Sequence, residues 1–533
     1  MFLKQSETVR KIISQEKKKL AADEKEIEKL WLGHPRGLVI LFFTEMWERF
    51  SYYGMRALLM LYLTKHWLYG DAEAGMIYGT YAALVYAVPV LGGMIADRYL
   101  GLRKAIVFGA VLLVLGHLGM AFEGPPSEVI DGQVVRSTSH EQIFYLSLAL
   151  IVVGVGFLKA NISTIVGRLY QQDDPRRDGG FTIFYVGINL GSFIATLLCG
   201  YLGETYGWRY GFGLAGLGML AGLLTFIWGG NWLKGVGLPP NLGQLTQKQW
   251  GLSLEAKIYA SGALFVLVVW QGIQFTGEIG TILTLFAGGI SAYVIWFSLT
   301  QCSTVERDRM LAMLFLITVS VVFWSLFEQA GSSLTLFTDR NVDKGLFTAS
   351  MFQSLNPLFI ILFAPLIAVV WVRLANAGRE PSAPVKFVMG IFLVGLGFLV
   401  LVVGAQFADE NGQVDVIWLA LMYFLHTMGE LCISPVGLSM VTKLSVQRVA
   451  AMMMGVWFLS SAFAAYLAGW IAGLMAIQGQ GASSDPVGSL AIYMGVFEKL
   501  GYFAVVVAIV LWILSPRIRR AMHEGARLDH NPA

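Results

Sequence analysis

The stretch that decides the fold runs from Thr44 to Arg56 and reads TEMWERFSYYGMR. It lies inside an apolar run from about Gly37 to Leu63, and a membrane-spanning helix needs about 20 such residues. A charge near the centre of a bilayer costs roughly 2.5–3.5 kcal/mol on insertion scales, so charged residues there usually face a polar interior. The charged residues of the stretch are Glu45, Glu48, Arg49 and Arg56.

These charges share one face of the predicted helix. Positions i, i+3, i+4, i+7 and i+11 are occupied by Glu45, Glu48, Arg49, Tyr52 and Arg56. This spacing follows a single stripe of an α-helix. One side of the helix is therefore expected to face lipid, and the other side to face a polar cavity.

The whole chain has the composition of a polytopic membrane protein. Of its 533 residues, 56% are hydrophobic and 14% are charged, whereas soluble domains carry about 25% charged residues. We predict an all-α membrane protein with fourteen transmembrane helices, because fourteen apolar runs are long enough to span. The runs begin near Gly37, Gly75, Lys104, Gln142, Phe181, Tyr210, Ala256, Ile279, Met310, Phe347, Val385, Val416, Val449 and Tyr493.

A segment rich in glycine and proline, at about residues 231–255, divides these runs. The simplest organisation is six helices, two additional helices and six more, and parallel six-helix halves around a central site are a known transporter plan. The predicted domains are a charged cytoplasmic segment at 1–33, a six-helix bundle at 34–233, a linker with two helices at 234–308, a six-helix bundle at 309–516 and a cytoplasmic tail at 517–533.

Lysine and arginine are unevenly distributed over the short loops. One alternating set of loops is rich in them, and the other holds only Lys65, Arg136, Arg209, Arg340 and Lys344. Because cytoplasmic loops carry the excess of these residues, we predict that both termini are cytoplasmic. We expect no signal peptide, since the N-terminus is charged where such a peptide is apolar.

Three further ionisable residues lie deep in apolar runs: Lys159, Glu328 and Glu430. Together with the first run, the interior holds three cations and four carboxylates. Mutual pairing in a wet cavity would offset the desolvation of these groups, and a proton could neutralise the excess carboxylate. Charges on four separate helices indicate a pathway or relay more than a set of fixed structural pairs.

The loop between the second and third runs reads GGMIADRYLGLRK from Gly92 to Lys104. It resembles the cytoplasmic loop motif of the major facilitator superfamily. The glycines would permit close approach of helices, and Asp97 could accept a hydrogen bond from a helix end or a neighbouring arginine. The resemblance implies the major facilitator fold.

Three motifs together resemble one family, the proton-dependent oligopeptide transporters. The segments EMWERFSYYG at Glu45–Gly54, FYVGINLGS at Phe184–Ser192 and GELCISPVG at Gly429–Gly437 are similar to its signatures. The resemblance runs from about Pro35 to Arg520. The additional helix pair is similar to that of bacterial members, which have fourteen helices instead of twelve.

The resemblance implies proton-driven import of di- and tripeptides by alternating access, with no cofactor beyond the proton gradient. The implied proton-coupling residues are Glu45, Glu48, Arg49, Lys159 and Glu328. Arg56 and Lys159 match positions that receive the peptide carboxylate, and Glu430 matches the acceptor of the amino terminus. The other implied substrate-binding residues are Tyr52, Tyr53, Asn189, Trp324, Glu328, Asn356, Ser434, Trp457, Phe458 and Ser461. A further pocket tyrosine is either Tyr81 or Tyr86.

The chemistry of these residues supports the resemblance in part. A peptide zwitterion needs a cationic and an anionic partner, which Arg56 with Lys159 and Glu430 could supply. Asparagine amides can bond both the N–H and the C=O of a peptide. Pro357 and Pro435 are expected to loosen helical hydrogen bonding beside the site.

Two alternatives compete with peptide import. Lys159 and Arg56 alone could hold nitrate or another small organic anion, but such an anion has no amine for Glu430. An enzyme would need a nucleophile–base pair or a metal cluster, and the sequence has no HExxH or GxSxG motif and no paired intramembrane aspartates. We therefore expect that the protein is not an enzyme. Cys199, Cys302 and Cys432 lie far apart in the sequence and lack the spacing of metal ligands, so we expect them to be small apolar residues of the interior.

The expected partners are di- and tripeptides, protons and the lipid bilayer. We expect no nucleic acid and no obligate protein partner to bind, and we therefore expect a monomer. The expected location is the bacterial cytoplasmic (inner) membrane.

Overall fold

The computed structural model describes residues 30–171, 173–249, 251–477 and 485–523. Most of the predicted N-terminal charged segment (1–33) and the end of the predicted tail (524–533) lie outside the described residues. The first described residues form a small antiparallel pair of strands, β1 (Leu30–Trp31) and β2 (His34–Pro35).

Six long helices form the first bundle. They are α1 (Gly37–Lys65), α2 (Asp71–Ile95), α3 (Leu102–Met120), α4 (Thr138–Arg168), α5 (Arg177–Tyr206) and α6 (Trp208–Trp228). A short helix, α7 (Leu242–Thr246), lies in the segment that follows. Two long helices come next, α8 (Leu254–Gln274) and α9 (Thr276–Gln301).

The second bundle contains the remaining helices. They are α10 (Thr304–Phe327), α11 (Ser333–Asn341), α12 (Leu355–Asn376), α13 (Ala383–Ala405), α14 (Val416–Leu444), α15 (Ala450–Gly473) and α16 (Pro486–Ala521). A 3-10 turn at Glu328–Gly331 connects α10 to α11, so that these two helices count as one span. Another 3-10 turn, Ala349–Ser354, precedes α12.

Thirteen spans in the described chain are long and apolar enough to cross a membrane. Helix α1 is the fourteenth, because its 29 residues reach past the bilayer core even though its charges lower its hydropathy. The prediction of an all-α protein with fourteen transmembrane helices is confirmed.

The remaining strands are short and lie in connections. Strand β3 (Glu128–Ile130) pairs antiparallel with β4 (Gln133–Val135), and β5 (Lys248–Gln249) pairs antiparallel with β6 (Leu252–Ser253). Strand β7 (Val342–Asp343) pairs in parallel with β8 (Val414–Asp415). These short strand pairs connect segments of the loops between helices, and the architecture is otherwise helical.

Local sequence signals fix several helix ends. Ser303 caps α10 in a capping box with Glu306, which satisfies backbone donors at both positions. Asp415 caps α14 by accepting from the N–H of Ile417 at 2.8 Å. In the predicted loop motif, Asp97 accepts from Arg168 at 3.1 Å, one of the partners the sequence allowed.

The two additional helices contact both bundles. On α8, Tyr259 packs on Phe108 of α3 with ring centroids 4.9 Å apart, and Glu255 pairs with Lys104 at 2.6 Å. At the start of α9, the carbonyl of Thr276 accepts from Tyr466 of α15 at 3.3 Å. The pair therefore lies alongside both bundles.

Candidate functional site

Ion pairs join the two bundles at the end where α1 finishes. Arg340 of α11 donates two hydrogen bonds to Asp71 of α2, at 2.6 and 2.8 Å. Lys65 at the end of α1 pairs with Asp339 at 2.7 Å. Both partners of the Asp71–Arg340 pair are largely buried, with side chains 7% and 13% exposed. These contacts close one end of the space between the bundles.

Helices α2 and α15 touch along the same closed end. A Cβ added to Gly79 would lie 2.8 Å from the Cα of Gly469, so the backbones are in direct contact. Toward the other end of this helix pair, Met94 on α2 is 59% exposed and Phe458 on α15 is 45% exposed. The hydrogen bonds that Lys65, Arg340 and Ser350 form between the bundles all lie at the closed end. The bundles are therefore joined at this end, and we refer to the other, more exposed end of the helix pair as the open end.

Two carboxylates share one guanidinium inside α1. Arg49 contacts Glu48 and lies 3.2 Å from Glu45, and all three side chains are 5% exposed or less. The second oxygens, Glu45 Oε2 and Glu48 Oε1, have no hydrogen-bond partner within the described chain. The cluster therefore places two carboxylates beside one guanidinium and leaves two buried oxygens able to accept a proton.

Lys159 of α4 is the nearby cation. Its ammonium lies 4.6 Å from the ring centroid of Tyr86, and its charged neighbours include Arg49 as well as Glu45, Glu48 and Glu328. In the part of the chain that the structure describes, no carboxylate oxygen lies within 4.0 Å of it. The pairing with the α1 glutamates that the family resemblance implied is not formed in this conformation, and the lysine rests on an aromatic face.

Arg56 connects the two bundles in the interior. It pairs with Glu328 in the turn after α10 and donates from Nε to the hydroxyl of Tyr78 at 2.6 Å. A Cβ added to Gly331 would lie 1.8 Å from that hydroxyl oxygen, so only glycine fits there. The 3-10 turn after α10 thus makes room for the contact between Tyr78 and Arg56.

Glu430 of α14 lies in the second bundle with a neutral partner. Asn356, in the first turn of α12, donates from Nδ2 to Glu430 at 2.9 Å and to the hydroxyl of Thr427 at 3.1 Å. No cation lies within 4.0 Å of Glu430 among the described residues. This carboxylate is positioned to accept a positively charged group from elsewhere.

The other predicted residues differ in their surroundings. Tyr53 lies under Arg56 at 5.9 Å and Tyr52 under Arg49 at 5.4 Å, each measured to the ring centroid. Asn189 donates to the carbonyl of Tyr185 in its own helix at 3.0 Å. Trp457 is 8% exposed and packs against Gly437. Trp324 is part-buried between Phe323 and Phe327, and Ser434 and Ser461 are part-exposed.

The two prolines that were expected to loosen helical hydrogen bonding occupy different positions. Pro357 is the third residue of α12, directly after the 3-10 turn, and so lies at the start of the helix. Pro435 does lie within α14 and removes a bond one turn after Glu430.

Two tyrosines of α2 complete the site. Of the two tyrosines that the sequence left open, Tyr86 contacts Lys159, and its hydroxyl lies 3.5 Å from Glu328. The Tyr81 hydroxyl is buried without a partner in the described chain. Tyr78, which bonds Arg56, was missed. Its signal in the sequence was an eight-residue spacing from Tyr86, which places both near one helical face.

Comparison with known proteins identifies the family. A family model described as "POT family" matches residues 103–484, more than half of the chain. The chain belongs to the POT family. It is thus a membrane transporter of the major facilitator fold and not an enzyme.

Curated relatives extend over nearly the whole chain. A protein named "Uncharacterized transporter YclF" from Bacillus subtilis is 37% identical in an alignment of 510 residues that covers 93% of this chain and 96% of the relative. "Dipeptide and tripeptide permease A" from Cronobacter turicensis is 34% identical and covers 92% of this chain and 94% of its own. "Peptide transporter YePEPT" from Yersinia enterocolitica is 35% identical, with coverage of 92% and 96%.

Solved structures of POT proteins match the fold. A crystal structure described as peptide transporter POT in complex with sulfate has a TM-score of 0.76 and 35% identity, covering 93% of this chain and 97% of its own. A POT family transporter in complex with 5-aminolevulinic acid has a TM-score of 0.76 and 32% identity, with coverage of 92% and 98%.

Proposed function

We propose that this protein imports di- and tripeptides together with protons by alternating access. Relatives named as dipeptide and tripeptide permeases, at 34% identity over almost the full chain, support a peptide as the substrate. The proposed transporter works as a monomer, needs no cofactor beyond the proton gradient and resides in a bacterial inner membrane with both termini in the cytoplasm. In this orientation, the open end of the structure faces the cytoplasm.

The observation that carries the proposal is the separation of charge between the bundles. Arg56 and Lys159 belong to the first bundle, whereas Glu328 and Glu430 belong to the second. A short peptide carries a carboxylate at one end and an ammonium at the other, so it fits between these two sets. Asn356, already bonded to Glu430, lies where it can also reach the peptide backbone.

The α1 cluster supports proton coupling. Glu45 and Glu48 share Arg49 and together carry one negative charge more than it neutralises. Either a proton or the Lys159 ammonium can compensate that charge. When a proton does so, Lys159 is released toward the peptide carboxylate, and this competition links proton binding to substrate binding in both directions.

The ion pair between Arg56 and Glu328 supports a link to the conformational change. Protonation of Glu328 would release Arg56, which could then hold the peptide carboxylate. Since Glu328 follows α10 directly and Arg56 lies on α1, exchange of this partner alters a contact between the bundles. We therefore assign Glu328 both proton coupling and substrate exchange.

Uptake into proteoliposomes tests the proposal. A labelled dipeptide should accumulate above its equilibrium level when an inward proton gradient is imposed, and a proton ionophore should abolish the accumulation. Liposomes without protein and an excess of unlabelled dipeptide serve as controls. Folded protein that accumulates nitrate but no dipeptide would contradict the proposal and favour an anion as the substrate.

A further inference from the structure

A basic cavity lies at the end of the second bundle, away from the central site. Its volume is about 620 Å³, and it is bounded by the ends of α10, α12, α13, α14 and α16. Its charged lining residues are Arg309, Glu380, Lys386, Lys443, Arg519 and His523. Among the described lining residues, four are lysine or arginine and one is a carboxylate.

Two of these cations, Arg309 and Lys386, are held in place by contacts to the protein. Arg309 is 7% exposed and donates to the carbonyls of Met522 and His523 at 3.1 and 3.0 Å, which anchors it to the end of α16. Lys386 is also 7% exposed and pairs with Glu380 at 2.6 Å. That pair accounts for the one carboxylate among the described lining residues.

Lys443 is the cation at the rim. It is exposed near the end of α14 and makes no hydrogen bond or ion pair with any residue that the structure describes. The first turn of α13 also borders the cavity through Ser382 and Ala383, and the N-terminal end of a helix adds a partial positive charge. All of these features favour an anion.

The lining of the cavity includes a residue type that is common at membrane interfaces. Trp371 lines it, and the Lys386 ammonium lies 4.7 Å from a Trp371 ring centroid; tryptophan is enriched at the headgroup level of bilayers. A second depression of about 540 Å³ shares Ser382, Arg519 and His523 with the cavity and includes Val385 and Pro516. The space therefore continues from the basic cavity to the outer surface of α13 and α16.

We propose that this cavity binds a phosphate group, supplied by an anionic phospholipid headgroup or by free phosphate. A phosphate oxygen accepts short, charge-assisted hydrogen bonds from lysine and arginine. Basic pockets between transmembrane helices on the cytoplasmic side suit anionic headgroups, and the outer depression leaves room for the rest of a lipid. The site is separate from the peptide site, although α14 contributes to both through Glu430 and its neighbour Leu431.

Thermal unfolding and native mass spectrometry of the purified protein test the proposal. The probes are phosphatidylglycerol, zwitterionic phosphatidylethanolamine and inorganic phosphate. The variants are Lys443→Gln and Lys386→Gln. The matched control is Arg517→Gln, an exposed cation on α16 that does not line the cavity.

Phosphatidylglycerol should raise the unfolding temperature of the wild type and the control and remain bound in the mass spectrometer. Each cavity variant should bind it about fivefold more weakly, because a basic residue near an anionic surface contributes about that factor. Inorganic phosphate that reproduces the effect would assign the site to a soluble phosphate source instead of a lipid. The proposal would be overturned if the cavity variants bound phosphatidylglycerol and inorganic phosphate as the wild type does. It would also be overturned if the wild type bound neither phosphatidylglycerol nor inorganic phosphate.

Discussion

The ion pair between Arg56 and Glu328 joins α1 of the first bundle to the turn after α10 in the second bundle, and the two residues lie 272 positions apart in the chain. Both side chains are nearly buried, at 11% and 8% exposure. Breaking a buried pair by removal of one partner costs about 3–5 kcal/mol, because the other charge remains unpaired. A ligand that replaces one partner can therefore strongly change the contact between the bundles.

The first prediction concerns the two carboxylates of α1. Glu45→Gln or Glu48→Gln should abolish gradient-driven accumulation, because each replaces a buried proton acceptor by a neutral amide of similar shape. Peptide exchange at equal pH on both sides should persist, since neither residue is proposed to contact the peptide. Both activities are measured with labelled dipeptide in proteoliposomes.

The matched control for this pair is Glu73→Gln. Glu73 is an exposed carboxylate in the first turn of α2, outside the cluster, and its variant should accumulate peptide normally. Full accumulation by both the Glu45 and the Glu48 variants would rule out this coupling scheme.

The second prediction concerns recognition of the peptide amino terminus. Glu430→Gln should weaken the inhibition of uptake by a dipeptide with a free amine by about tenfold or more, since a hydrogen bond to a charged group contributes about 1.5–3 kcal/mol. The same substitution should hardly affect an N-acetylated dipeptide, which has no ammonium. The measurement is competition against labelled dipeptide uptake.

The matched experiment tests the cation that is proposed to bind the peptide carboxylate. Arg56→Gln should instead weaken dipeptides with a free carboxylate more than C-amidated ones. If both variants weakened all four ligands equally, the assignment of one end of the peptide to each bundle would be wrong.

The third prediction concerns the closed end of the protein. Arg340→Gln leaves Asp71 buried without its bidentate partner and should destabilise the closed state. Spin labels on cysteines introduced at Glu73 and Leu346, both exposed near this end, should report a new population at longer distance. The double charge reversal Asp71→Arg with Arg340→Asp should restore the short distance. A distance distribution that none of these changes alters would show that the pair does not hold the bundles together.

The polar interior could be predicted from the sequence, but the contacts within it could not. The stripe from Glu45 to Arg56 is recognisable because charges are costly in lipid, so their spacing alone indicates a cavity. Partners such as Arg56 and Glu328 are distant in the chain, and nothing in local spacing relates them. The position of Lys159 over Tyr86 also depends on which conformation the bundles adopt.

Two helix boundaries also could not be predicted from the sequence, because the hydropathy pattern does not mark them. The apolar run that includes α10 and α11 reads as one helix, yet it breaks at Gly331, where the Tyr78 hydroxyl requires space. The run predicted to begin near Phe347 starts instead with a 3-10 turn, so that Pro357 falls in the first turn of α12. In the first case a tertiary contact sets the helix boundary, and in the second case a 3-10 turn does so. Neither boundary is visible in the hydropathy pattern.

The last prediction concerns His66, one residue beyond the end of α1. It is 5% exposed, its Nε2 donates to the carbonyl of Glu123 at 3.0 Å, and its ring stacks on Tyr62 at 4.7 Å. Burial lowers the pKa of this imidazole below its usual 6.5. The folded protein therefore favours the neutral ring. The full stability is present above the unfolded pKa and is lost as the pH falls from that value through the lower folded pKa. The wild type should lose more thermal stability between about pH 7.5 and about pH 5 than His66→Gln, which keeps an N–H donor without a titrating group. The control is His140→Gln, at a part-exposed histidine, which should lose as much thermal stability on acidification as the wild type. If the His66 variant also lost as much as the wild type, His66 would be excluded as the titrating group.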